Sequence, residues 1–243
     1  MQYLDLTFPT PAENLACDEA LLDLCESDSA TEILRFWESP THFVVVGYGN
    51  HVDREVEVAA CDRAGIPILR RCSGGGTVLQ GPSCLNYALI LRSDSGSPLE
   101  SISSTNCHIM STQRDALRNL GLDVAIQGCT DLVCTSTPPR KFSGNSQRRK
   151  RHSLLFHGTF LYAFDLTLIE KALKFPSQQP NYRESRRHAN FVNNVAISPF
   201  QIKSTLKEAW SGNAPFTQIG PLTTSIAMLT ASKYSLTSWN RKI

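Results

Sequence analysis

Apolar positions along the chain follow two patterns, one helical and one extended, and the two alternate. Between Pro11 and Cys25, residues Leu15, Ala16, Ala20, Leu21 and Leu24 share one stripe, with Glu13 near the start, which predicts an amphipathic helix. The runs ILRFW (33–37) and HFVVVGYG (42–49), separated by Glu38-Ser39-Pro40, read as strands. A second helix is predicted over Asp53 to Ala64, ended by Gly65 and Pro67. IPILRRC (66–72) reads as a strand that runs into three glycines. GTVLQ (76–80) and LNYALILR (85–92) follow as two more, with Gly81-Pro82-Ser83 as the turn between them. A third helix covers Ile102 to Leu120 and stops at Gly121, and VAIQG (124–128) and DLVCT (131–135) are short strands. RKFSGNSQ (140–147) and LLFHGTFLYAF (154–164) form a long strand pair joined by a charged turn, Arg148 to His152. Further helices are predicted at Leu166 to Leu173 and Pro199 to Trp210. Many strands follow one another without a helix between them, so the pattern predicts an α/β fold with a mixed sheet flanked by helices, not a doubly wound one.

Composition narrows this picture only a little. With 243 residues and 41% apolar content the chain can bury a real core. No repeat or low-complexity linker divides it, so one domain over 1–243 is expected. The formal charge of +2 argues against a wholesale nucleic-acid surface and makes any basic site local. No apolar run approaches the ~18 residues of a membrane span, and no basic leader precedes an apolar stretch at the N-terminus. A cytoplasmic protein with no membrane partner is expected. The cysteines (Cys17, Cys25, Cys61, Cys72, Cys84, Cys107, Cys129, Cys134) form no C-x-x-C pair and no zinc-type spacing. They are expected to be reduced thiols, with no metal held by the chain.

Two stretches carry the candidate chemistry. RRCSGGGTVLQG (70–81) places two arginines before Gly74, Gly75 and Gly76. Three glycines between strands allow positive φ and close backbone approach, so several N–H groups can converge on an anion while Arg70 or Arg71 supplies charge. The segment lacks the spacing of a P-loop or a dinucleotide fold, and a glycine-rich bulge with solvated arginines remains the alternative. RKFSGNSQRRKRHSLLFHGTFL (140–161) places Lys141 inside a β-like segment, then small residues, then four cations, Arg148 to Arg151. A strand lysine facing a site can hold a carbonyl and a phosphate oxygen together, or it can snorkel to solvent. The four-cation run reads either as a solvated turn or as a docking point for an acidic partner or a substrate phosphate.

Taken together, NLACDEALL, VVVGYGN, RRCSGGGTV and RKFSGNSQ…LLFHGTFL, in this order, resemble the lipoate–protein ligase A family of the biotin/lipoate protein ligase superfamily. PNYRESRRHANFVNN and KYSLTSWN are similar to it as well, so the likeness runs from about residue 14 to residue 240. The resemblance implies a class II synthetase-like catalytic domain. Its implied activity is to activate lipoate, octanoate or a biotin-like acid with ATP and Mg²⁺ and pass the acyl group to a lysine of a carrier domain. By position it implies Lys141 as the central catalytic lysine. Arg71, Ser73, Gly74, Gly75, Gly76 and Thr77 would line the acyl and phosphate site, with Asn86, Ser143 and Gly144 beside it.

Three departures keep other readings open. The ligases usually follow the glycines with an aromatic, a His and an Asp, whereas this chain has Leu79-Gln80-Gly81-Pro82-Ser83-Cys84. The chain stops four residues after Trp239, so the small C-terminal accessory domain of some ligases is expected to be absent. Octanoyl transferases of the same fold use a cysteine nucleophile and no ATP, which makes Cys84, Cys129 and Cys134 alternative nucleophiles. A non-catalytic module binding an adenylate or a carrier domain is the third reading.

Overall fold

A computed structural model describes residues 1–28 and 31–242. Eleven strands occur among them: β1 (Gln2–Asp5), β2 (Ile33–Trp37), β3 (Phe43–Val46), β4 (Ile68–Arg70), β5 (Val78–Gln80), β6 (Cys84–Arg92), β7 (Val124–Gln127), β8 (Asp131–Cys134), β9 (Arg140–Arg149), β10 (Ser153–Leu161) and β11 (Ala214–Pro215). Eight run side by side in the order β11-β1-β2-β6-β10-β9-β8-β7, while β4-β3-β5 form a second, small sheet. Both sheets are mixed. β1 pairs parallel with β11 and β2, the rest of the large sheet is antiparallel, and β3 is parallel to β4 but antiparallel to β5. The expected mixed-sheet α/β architecture is therefore the one observed.

The helices are α1 (Pro11–Ser27), α2 (Val52–Glu55), α3 (Val58–Ala64), α4 (Ile102–Arg118), α5 (Thr167–Ala172), α6 (His188–Phe191), α7 (Pro199–Ala209), α8 (Ile219–Leu229) and α9 (Thr237–Asn240). No helix among the described residues is long and apolar enough to cross a membrane. α1 starts on a reciprocal cap: the Thr10 hydroxyl accepts from the Glu13 amide, and the Glu13 carboxylate accepts from the Thr10 amide. Its apolar stripe covers one face of the large sheet, meeting Ile33, Trp37, Ala88, Ile90 and Leu155. Residues of α4 and α7 pack on the opposite face, against Leu34, Phe36, Tyr87, Leu89 and Phe156. Strand β2 is buried on both faces, which is why ILRFW shows no polar alternation.

Three expectations need correction. The helix predicted over Asp53 to Ala64 is two, because Val56 leaves helical geometry and bridges Leu173. HFVVVGYG ends as a strand at Val46; its last residues turn out of the sheet. The charged turn is shorter than expected, since β9 continues to Arg149 and only residues 150–152 connect it to β10.

Candidate active site

The glycine strip leaves β4 at Arg70, and both arginines at its head are turned inward. Arg70 is fully buried. Its guanidinium donates to the carbonyls of Gly47 (2.8 Å), Tyr48 (3.1 Å), Asn50 (2.8 Å), Trp239 (3.1 Å) and Lys242 (2.6 Å). Arg71 donates to Ser73 Oγ (3.0 Å) and to the carbonyls of Gly74 (2.5 Å) and Gly76 (2.7 Å). Burial pulls its pKa down to about 10, so it stays charged at neutral pH. Of the two arginines expected to offer charge to an anion, Arg70 commits its donors to backbone carbonyls, whereas Arg71 also holds backbone but keeps its charge and lines the central cavity. What they leave open is the strip itself. Gly74, Gly75 and Gly76 are exposed, and their amides donate to no protein acceptor among the described residues. Gly75 adopts φ +81°, a conformation that favours glycine, and a Cβ there would crowd Arg71 Nη2 at 3.0 Å. At Gly47, a Cβ would collide with the Gly75 carbonyl.

Lys141 stands on β9, where the register against β8 slips between Leu132 and Val133 and leaves Phe142 without a partner. Such a bulge re-aims neighbouring side chains. The Lys141 ammonium lies over Gly144, whose Cβ would come within 2.6 Å of it, and pairs with Asp131 at 2.7 Å. Tyr182 donates to the other carboxylate oxygen at 2.7 Å. Burial, and then Asp131, push the Tyr182 hydroxyl far above its usual pKa and keep it a donor. The Lys141 carbonyl accepts from the Asn193 amide at 2.7 Å, so the PNYRESRRHANFVNN segment braces this residue from behind. In that segment Arg183 sits between the rings of Phe175 (5.0 Å) and Phe191 (4.6 Å).

A second polar chain crosses the site. Asp18 of α1 pairs with the fully buried Arg35 at 2.5 Å and with His157 Nδ1 at 3.0 Å, and His157 Nε2 meets Ser73 Oγ at 2.5 Å. His157 thus bridges Asp18 and Ser73 through its two ring nitrogens, and the Ser73 hydroxyl oxygen also accepts from Arg71 Nε. The chain thereby locks the residue that precedes the glycines. Asp18, His157 and Asp131 were not singled out from the sequence. One signal was present: Asn14 and Asp18 lie four apart on the buried face of α1, where an apolar pair is expected.

These groups surround a cavity of about 870 Å³. Its wall includes Arg71, Gly75, Gly76, Thr77, Asn86, Lys141, Ser143, Gly144 and His157. Ser73 and Gly74 do not line it. Trp37 and Gln80 do line it, each with one buried polar atom, the indole N–H and an amide oxygen, that has no partner among the described residues. The cysteines divide sharply. Cys84 is fully buried off the wall, with its thiol pushed up to about 12 by burial; Cys134 is half-buried, also off the wall, and raised by burial. Cys129 is exposed and lines the cavity, two residues before Asp131.

Comparison with known proteins bears on what this cavity serves. The profile of the "Lipoyl protein ligase A/B catalytic domain" matches residues 10–203. The chain is similar to an octanoyltransferase LipM of Geobacillus kaustophilus, at 24% identity over 99% of this chain and 98% of that one. It superposes on a bipartite lipoate protein ligase of Thermoplasma acidophilum, described together with its E2 lipoyl domain, with a TM-score of 0.85. Identity there is 25%, covering 99% of this chain and 95% of that one. A lipoate-protein ligase A bound with ATP is similar at a TM-score of 0.80 and 25% identity, covering 99% and 98%.

Proposed function

Because the chain belongs to the lipoyl protein ligase A/B catalytic domain family, whose members transfer acyl groups to proteins, we propose that it activates lipoate or a related medium-chain acid with ATP and transfers the acyl group to a lysine of a lipoyl-type carrier domain. The observation that carries this reading is the Lys141–Asp131 pair beside a cavity that also exposes the unpartnered amides of Gly75 and Gly76. A carboxylate attacking the α-phosphate brings two anions together, and the chain must offset that charge. Asp131 holds one side of the ammonium, and Lys141 keeps further N–H donors for the carboxyl and phosphate oxygens. The glycine amides cradle phosphate, with Thr77, Asn86, Ser143 and Gly144 lining the approach. The first step forms an acyl–O–P bond and expels pyrophosphate. In the second, the neutral amine of the acceptor lysine attacks the acyl carbon, AMP leaves with the bonding pair, and the amine's proton is released. No protein nucleophile is needed.

Magnesium binds through one or two carboxylates together with substrate phosphates. No group of three or more His, Cys, Asp or Glu converges among the described residues, and Asp131 is one carboxylate on the cavity wall. That donor set suits a magnesium ion that arrives with the nucleotide and offsets phosphate charge there.

One observation favours a second reading, ATP-independent octanoyl transfer: Cys129 faces the cavity, and the similar LipM proteins are octanoyltransferases. The test is ATP–pyrophosphate exchange with octanoate, lipoate or biotin, run on the wild type and on Cys129→Ser. Acid-dependent exchange retained in Cys129→Ser supports the ligase. Absence of exchange with every acid, together with acyl transfer from an octanoylated carrier that needs Cys129, contradicts it.

A further inference from the structure

The buried Arg70 joins two segments that are distant in sequence. By binding carbonyls at 47, 48 and 50 and at 239 and 242, it ties the loop at the cavity rim to the last turn of the described chain. Asn50 of that loop donates to the Gly75 carbonyl at 3.1 Å, and Gly49, Asn50 and His51 line the cavity, so the joined segments form its lip. Four side chains meet outside it. Tyr48 is 45% exposed, with its ring 5.8 Å from that of Trp239. The Lys242 ammonium sits 3.6 Å from the Tyr48 centroid and 4.1 Å from that of Trp239, and the Arg148 guanidinium lies 5.8 Å above Tyr48.

The charges on this lip differ from those around it. Lys150 pairs with Asp23, Lys233 with Glu19 and Arg241 with Asp62, and Arg149 is folded inward onto Thr105, Ser93, Leu99 and Glu100. The run Arg148 to Arg151 is thus not one patch. Arg148 and Lys242 have no carboxylate partner among the described residues and rest on ring faces, which orient a cation without cancelling its charge. Together they make an aromatic base with two positive charges, neither paired with a carboxylate among the described residues, next to the loop whose Gly49, Asn50 and His51 line the cavity. Two free cations on a chain of net charge +2 fall short of the basic stripe that nucleic acid requires.

We infer that Tyr48, Trp239, Arg148 and Lys242 form the docking face for an acidic carrier domain, receiving the acidic surface around its acceptor lysine. The inference rests on the reading that the chain acylates a carrier lysine, and the test separates the two. The full chain is titrated with an acidic lipoyl-type carrier whose acceptor lysine is replaced by Gln, so that binding is read without turnover. Arg148→Glu combined with Lys242→Glu should weaken binding about tenfold or more, as expected for two surface charges reversed, and flatten its salt dependence. Acid-dependent pyrophosphate exchange and melting temperature should stay at wild-type values. Unchanged carrier affinity in the double variant, or no carrier binding by the wild type, would overturn the docking face. So would an RNA oligonucleotide that binds in place of the carrier and depends on the same two residues. If exchange is absent while carrier binding still depends on Arg148 and Lys242, the adenylation reading fails and the docking face stands.

Discussion

The cavity has two cationic sides that look alike in sequence and behave differently in the fold. On one side Arg70 and Arg71 precede three glycines; on the other Lys141 precedes Ser143 and Gly144. Arg70 gives its guanidinium to neutral backbone carbonyls, and Arg71 is engaged by Ser73 Oγ and the carbonyls of Gly74 and Gly76 while still lining the cavity. Lys141 is engaged by a single carboxylate at one point and faces the cavity with the rest of its ammonium. The partner decides the role: a guanidinium with five donors is suited to organise several carbonyls at once, whereas a compact ammonium beside one carboxylate remains available.

Breaking the arginine side should cost stability first. Arg70→Met takes the donor from five carbonyls, and four of them, those of Tyr48, Asn50, Trp239 and Lys242, have no other protein donor among the described residues; a buried group left unsatisfied costs about 1–3 kcal/mol. A loss of at least about 3 kcal/mol is expected, which calorimetry should register as a drop in Tm of about 6–12 °C. Breaking the lysine side should do the reverse. Lys141→Ala should lower acyl transfer to the carrier by at least about 100-fold, as for loss of a preorganised electrostatic contact, with Tm nearly unmoved. Full activity in Lys141→Ala, or a collapse of its Tm, would erase the contrast between the two sides.

Asp131→Asn sharpens the comparison, because it keeps the shape but removes the charge that holds the ammonium. A fall of about tenfold in kcat is expected, smaller than for loss of Lys141 itself. The smallest effects belong to the thiols. Cys84→Ser, Cys129→Ser and Cys134→Ser should each retain at least half the activity. Alkylation followed by peptide mass spectrometry should label Cys107 and Cys129 at pH 8. Cys84, protonated until about pH 12 and fully buried, should stay unlabelled in the folded protein, because only the thiolate reacts.

How far the sequence could be read depended on how local each signal was. Strands such as FVVV and LNYALILR and the stripe of α1 announce themselves within a few residues, and all of them form. β1 was missed because Gln2–Asp5 is four residues long and becomes a strand by pairing with β2 and β11. α8 was missed because IGPLTTSIAML carries Gly, Pro and three hydroxyl residues, and its burial rests on Leu222 and Ile226. In the site, the glycines and Lys141 were legible, since a glycine run and a lysine in a β segment stand out locally. The Asp18–His157 contact joins residues 139 apart, and no local pattern records it. Asp131 was nearer to hand: it opens DLVC, the strand that pairs with the one bearing Lys141. The inward turn of Arg70 could not be read, since its partners are backbone carbonyls, which every residue has.

The measurement that bears most directly on Lys141 is a rapid quench of the protein with ATP and lipoate in the absence of carrier. The small-molecule fraction and the intact protein are then analysed by mass spectrometry. The account predicts lipoyl-adenylate in the small-molecule fraction of the wild type, an unmodified protein mass, and no adenylate from Lys141→Ala. An acyl group carried as a thioester on Cys129, or adenylate formed undiminished by Lys141→Ala, would contradict it.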